Sequence, residues 1–253
     1  MTGQAAHASC RRRTPGSTAM AWMRLAGLLL ALFPSASGAD TGTVYGTVRF
    51  EGAVPTPPTI YMSADPACDK MFPKGRPAET LVVGPTGGLS NVIVHVKAGL
   101  PKDYRAVPAS GSVKVDQVGC AYVPHVVGLR TGQELVVHNG DETYHNVNAR
   151  AAVNMAFNDA MPAKGLLMRK SFPLPEVAVK LKCDVHPWMS AYVGVFDHPF
   201  FVVTLPDGAF EFADLPEGDY TIEAWHESLG TRTAVVEVDD DEPVTIDFRF
   251  AGN

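Results

Sequence analysis

The sequence predicts an all-β protein, and three observations carry that prediction. From Asp40 onward, apolar residues alternate with polar ones or cluster as β-branched runs between turn residues, without a sustained 3.6-residue period. The 253 residues include 23 glycines and 20 prolines, more than a helical bundle tolerates and suited to many turns between short strands. Finally, 46% hydrophobic and 19% charged residues give the balance of a chain that buries a core, which excludes a disordered protein.

The beginning of the chain predicts export. Arg24 precedes a nine-residue apolar run, Leu25 to Phe33, followed by Pro34-Ser35-Ala36-Ser37-Gly38-Ala39, with small residues at both positions that a signal peptidase reads. Residues 1–39 are therefore expected to be a signal peptide, cut before Asp40, with Met20 or Met23 as alternative starts. Nine residues fall well short of the roughly 20 that cross a bilayer, so no retained membrane span is expected. A periplasmic or secreted location follows. Arg11, Arg12, Arg13 and Arg24 are the bases before Ala39 and no acid precedes Asp40, so a formal charge of −6 becomes −10 on cleavage. Nucleic-acid affinity rests on clustered cations, and that function class is excluded.

Strands are expected over 44–50, 91–97, 134–138, 177–182, 191–196, 200–204, 220–225, 233–238 and 244–250. Residues 52–80, rich in proline and holding Cys68, read as a long loop. Residues 150–170 carry three methionines and two asparagines and suggest a short helix. Asp207-Gly208 lies between alternating segments and predicts a hairpin turn. The acidic run Asp239-Asp240-Asp241-Glu242 reads as a solvated turn that favours a basic partner.

The string Thr204-Leu205-Pro206-Asp207-Gly208-Ala209-Phe210-Glu211-Phe212, followed by Leu215-Pro216-Glu217-Gly218-Asp219-Tyr220-Thr221, resembles the carboxypeptidase regulatory-like, or transthyretin-like, β-sandwich family. Gly42 to Val48 and Leu89 to Val96 resemble that family's opening strands. The resemblance implies one sandwich, residues 40–107 and 199–253, interrupted by residues 108–198. Members of this carbohydrate-binding-like group bind carbohydrate or cell-envelope material, or space other domains.

The chemistry lies in the interruption. Cys183-Asp184-Val185-His186-Pro187-Trp188-Met189 sets a thiol, an imidazole and a thioether at successive intervals of three. Tyr144-His145-Asn146-Val147 comes 38 residues earlier, room for about three strands and a return beside the first. Two imidazoles and a thiolate with a weak axial methionine make an electron-transfer copper site, because soft sulfur favours Cu(I) and imidazole suits Cu(II). Residues 108–198 resemble the cupredoxin family in its plastocyanin and amicyanin branch, a Greek-key β-sandwich. Tyr122, Pro124, Gly132, Asn139, Asp141 and His145-Asn146-Val147 match the family's approach to the first ligand, and Cys183, His186 and Met189 its closing ligand loop.

The resemblance implies one type 1 copper per chain, held by His145, Cys183, His186 and Met189. Asn146 would pin the ligand loop. The edge of His186 would emerge near Trp188 and Pro187 as the electron port. Val185 stands where amicyanin has proline, so its amide is free to bond the Cys183 sulfur. The implied function is an exported, monomeric electron carrier rather than an enzyme. A dehydrogenase or c-type cytochrome would be its redox partner, and the amicyanin likeness points to methylamine oxidation.

Three cysteines remain after Cys10 leaves with the signal peptide. Pairing Cys68 with Cys120 frees Cys183 for metal, whereas a Cys183–Cys120 bridge abolishes the site. Two other functions stay open: a carbohydrate- or envelope-binding module with a vestigial copper site, and a copper chaperone using Met155, Met161 and Met168. His125 and His226 are weaker candidates, His125 for a second metal contact and His226 for the border between the two parts. His95 and His138 read as ordinary sheet residues.

Overall fold

A computed structural model describes residues 40–240 and 242–252, and the expected signal peptide lies outside them. The chain opens with β1 (Thr41–Glu51), the two-residue β2 (Thr59–Ile60), a single short helix α1 (Pro66–Met71), β3 (Arg76–Pro77) and β4 (Ile93–Ala98). Nine strands follow: β5 (Ser112–Gln117), β6 (Tyr122–Val123), β7 (Val126–Arg130), β8 (Glu134–Asn139), β9 (His145–Arg150), β10 (Phe157–Met161), β11 (Leu167–Ser171), β12 (Glu176–Lys182) and β13 (Ser190–Phe196). The chain closes with β14 (Phe201–Val203), β15 (Ala209–Pro216), β16 (Gly218–His226), β17 (Gly230–Val238) and β18 (Val244–Ala251). No helix among the described residues is long and apolar enough to cross a membrane.

Two β-sandwiches result. The first pairs a three-stranded sheet, β15-β1-β18, with a four-stranded sheet, β14-β4-β16-β17, so its strands come from both ends of the described chain. The second is built entirely from residues between them: β10-β9-β12-β13-β7 packs on β11-β8-β5-β6. In β1 the alternation turns Val44, Val48 and Phe50 inward and Tyr45 and Arg49 outward. β1 runs antiparallel to β15 and parallel to β18. Gly46 permits this approach, since a Cβ there would lie 1.6 Å from the carbonyl oxygen of Ile246. Phe210, Phe212, Tyr220, Ile222, Phe248 and Phe250 join these residues in the first core, while Val115, Leu135, Val137, Val147, Leu181 and Val193 anchor the second.

Three local expectations are corrected. Residues 150–170 hold β10 and β11 rather than a helix, because β10 pairs with β9 and β11 with β8, and those ladders override weak local propensity. The Asp207-Gly208 turn is not a hairpin: β14 lies in one sheet of the first sandwich and β15 in the other. The Gly208 amide donates to Leu205 O (2.8 Å), and Gly208 takes a positive φ while Asp207 does not. The 52–80 segment is not irregular throughout, since α1 is capped by the Asp65 side chain, begins with proline and joins β2 to β3. A disulfide ties Cys68 of this helix to Cys120 of the second sandwich.

The two sandwiches also share a small apolar junction of Ile93, Val126, Tyr192 and Phe196, against which Trp225 and Phe201 pack. His125 donates to Glu227 across this junction, and His226 accepts from the Ser228 amide. His95 contacts Glu223 within the first sandwich, and His138 donates to Asp116 within the second. His198 and His226 are buried, and desolvation pushes both imidazoles down to about 4. In the unfolded chain both titrate near 6.5, so it binds more protons than the fold between those values. The contribution of these two histidines is therefore full above pH 6.5 and declines as pH falls towards 4, by at most about 3 kcal/mol per histidine. Denaturant unfolding of the metal-free protein across this range measures the decline; a flat profile would contradict it.

Candidate metal centre

The centre forms where the β8–β9 and β12–β13 connections meet at one end of the second sandwich. The β8–β9 turn is shaped by Asn139, whose Oδ1 accepts from the Asp141 amide (2.9 Å) and whose amide group donates to Thr143 O and Met161 O. This delivers His145 as the first residue of β9. Cys183 follows β12, and two backbone bonds, Met189 N to His186 O (2.9 Å) and Cys183 N to Met189 O (3.2 Å), fold the loop on itself. Spacing by three then brings the side chains of Cys183 and His186 together.

Asn146 ties the two connections to each other. Its Oδ1 accepts from the Asp184 amide (2.7 Å), and its Nδ2 donates to Asp184 (3.0 Å) and to Asn158 (2.6 Å). Asn148 and Asn158 donate to the same Asp184 carboxylate. The Tyr122 hydroxyl lies within reach of the carbonyls of Asn146 and Lys182, at 2.9 and 3.1 Å.

His145, Cys183 and His186 present their donor atoms within 4.8 Å of one another, all buried. The two Nδ1 atoms lie 2.9 Å apart, and the sulfur lies 4.0 Å from that of His145 and 3.7 Å from that of His186. Nitrogen and sulfur ligands at bond lengths near 2.05 and 2.3 Å around a tetrahedral ion stand roughly 3.3 and 3.6 Å apart, so the set is close to that of a metal centre. Met189, 1% exposed, closes the same loop as the candidate fourth donor.

Each imidazole turns its other nitrogen to a carboxylate. His145 Nε2 donates to Asp141 (3.0 Å), which also accepts from the amides of Gly119 and Cys120. His186 Nε2 donates to Asp65 (2.9 Å). Carboxylates accept only, so each ring carries a proton on Nε2, and Nδ1 is the nitrogen that could bind a metal once unprotonated. Without a metal, a proton on His145 Nδ1 directed at His186 Nδ1, 2.9 Å away, satisfies the pair, and a bound metal ion would take the place of that proton.

The electrostatics agree. Burial works against charge on His145, but the hydrogen bond to Asp141 and the contact with Cys183 outweigh it and raise the imidazole to about 9. Burial likewise opposes ionising Cys183, yet His145 and the amides of Asn146, His186 and Val185 draw the thiol from 9.0 down to about 7. Cys183 is the free cysteine among the described residues.

Other expected site residues fall elsewhere. His186 does not form an exposed edge: it is 1% exposed, because α1 carries Asp65 over its Nε2 and sets the Cys68 sulfur 3.7 Å away. Of the expected port pair, only Trp188 reaches solvent in part; its ring lies 5.1 Å from that of His186, and its Nε1 donates to Cys120 O. Met161 and Met168 are buried and Met155 is 87% exposed, so the three do not form one thioether surface. His125 and His226 join no cluster of metal-ligating atoms among the described residues. Asp65 is the participant that sequence reasoning missed; the Asp-Pro pair ahead of Cys68 signals a helix cap, but nothing in it points to a histidine 121 residues later.

No family model and no curated protein matches the chain. Similar solved structures include a purple cupredoxin from Nitrosopumilus maritimus, with 19% identity over 33% of this chain and 99% of that one, at a TM-score of 0.29. An oxidised amicyanin variant shows 20% identity over 40% of this chain and 97% of that one, at 0.31. A copper-containing nitrite reductase from Thermus scotoductus SA-01 shows 20% identity over 39% of this chain, at 0.30, and the match spans 25% of that enzyme's length.

Proposed function

We propose that this protein is an exported electron carrier holding one type 1 copper ion, and that it passes electrons between redox proteins without turning over a substrate. The observation that carries the reading is the convergence of His145 Nδ1, His186 Nδ1 and Cys183 Sγ in a buried cluster, with buried Met189 on the same loop as Cys183 and His186. Zinc sites recruit further cysteine, histidine or carboxylate rather than a thioether, so this donor set favours copper. Bound copper would supply one-electron exchange between its +1 and +2 states. The chain supplies a rigid mount, through the Asn146–Asp184 bonds, and two imidazoles with their Nδ1 atoms turned to the site. It also excludes bulk water from the donors.

In this reading the first sandwich is a transthyretin-like platform, and its 52–80 segment covers the copper-holding end of the second. A c-type cytochrome or a dehydrogenase would approach where Trp188, Pro187 and Val185 surface, rather than at His186. The test is titration of the full chain with Cu(II). An intense visible thiolate-to-copper band saturating at one equivalent, bleached by reductant and restored by oxidant, is expected. Saturation without that band would overturn the reading.

A further inference from the structure

We infer that Asp65 is a positioning residue of the metal centre, one that fixes the tautomer of His186 and places a negative charge against its ring, favouring the more highly charged state of a bound ion. The inference rests on the copper reading above for its second half and on geometry alone for its first. Asp65 belongs to the first sandwich's 52–80 segment, 121 residues from His186, and it reaches the centre only because that segment folds over it.

Every acceptor position that orients the carboxylate is filled. Oδ1 accepts from the amides of Ala67 (2.7 Å) and Cys68 (3.2 Å), which fixes it to the start of α1. Oδ2 accepts from the Thr143 hydroxyl (2.8 Å) and from His186 Nε2 (2.9 Å). Thr143 stands two residues before His145, so the same oxygen touches both histidine-bearing loops. The Cys68–Cys120 disulfide then ties α1 to the loop whose amides hold Asp141. A carboxylate placed in this way does three things to His186: it keeps the proton on Nε2, it sets the ring plane, and it makes Nδ1 a stronger donor. Among the described residues no lysine or arginine pairs with this carboxylate, so its charge acts on the ring and on whatever the ring binds. An oxidised ion carries one more positive charge than a reduced one, and that difference gains from a nearby anion.

The full chain carrying Asp65→Asn or Asp65→Ala tests both halves. Asparagine removes the charge and offers one acceptor oxygen where aspartate offers two, so it keeps either the helix cap or the acceptor for His186, whereas alanine removes everything. In the metal-free protein at mildly alkaline pH, nitrogen-15 NMR of the histidines should show His186 protonated at Nε2 in wild type. In Asp65→Ala it should be a mixture of tautomers. With copper, Asp65→Asn should retain the thiolate band while its ratio of Cu(II) to Cu(I) affinity falls by about tenfold or more, read as a more positive reduction potential. An unchanged tautomer in Asp65→Ala, or an unchanged affinity ratio in a copper-loaded Asp65→Asn, would overturn the inference. Loss of the thiolate band in wild type itself would instead overturn the copper reading, and the metal-free NMR would still judge the role of Asp65.

Discussion

Cys183→Ala is expected to eliminate the thiolate-to-copper band and to weaken Cu(II) binding by more than the roughly 10- to 100-fold that loss of a supporting residue costs. In the copper reading Cys183 supplies the soft donor, its thiol drawn down to about 7 by His145 and three backbone amides against the opposing effect of burial. Metal binding completes its deprotonation. Alanine leaves a void the size of one sulfur in a fully buried site, costing on the order of 1 kcal/mol in the metal-free protein. Fold and binding therefore separate cleanly. Competition with a chelator of known affinity measures the binding and denaturant unfolding the stability; a variant that kept the band would show that some other residue supplies the sulfur.

Cys68→Ala with Cys120→Ala is expected to destabilise the protein by about 4 kcal/mol, because the disulfide closes a 52-residue loop and its loss returns that entropy to the unfolded chain. Both cysteines are fully buried, so alanine is the gentler replacement than serine, which would strand two hydroxyls. The same pair should expose His186, since the Cys68 sulfur lies 3.7 Å from its Nε2 and α1 loses its anchor. Urea unfolding of the variant beside the oxidised wild type gives the first number. Hydrogen exchange of the His186 ring proton reports the second, and a loss of stability under 1 kcal/mol would mean that the helix is held by packing alone.

The all-β class was legible because β1, β8, β12, β13 and β16 to β18 each carry their own alternation or β-branched run. β9 was not, because His145, Asn146 and Asn148 spend their side chains on the site and leave no apolar pattern. β10 and β11, with Asn158, Asp159, Arg169 and Lys170, owe their conformation to partners rather than to their own residues. The spacing of Cys183, His186 and Met189 could be read directly, since three candidate ligands on one short loop are a local feature. Burial of His186 could not, since what covers it comes from a proline-rich segment of the other sandwich, and a contact across 121 residues leaves no periodicity to find.

The pairing of β1 with β15 and β18, and of β4 with β14 and β16, sets a timetable for the chain as it is synthesised. β1 and β4 emerge early but have no sheet partners until the stretch beginning with β14 appears, whereas every strand from β5 to β13 finds its neighbours within its own segment. The second sandwich is therefore expected to close first, while the flanking strands wait with open edges. During that interval they are the part of the chain most in need of a chaperone's protection, and arrest before β14 would leave a finished second sandwich beside two orphaned strands.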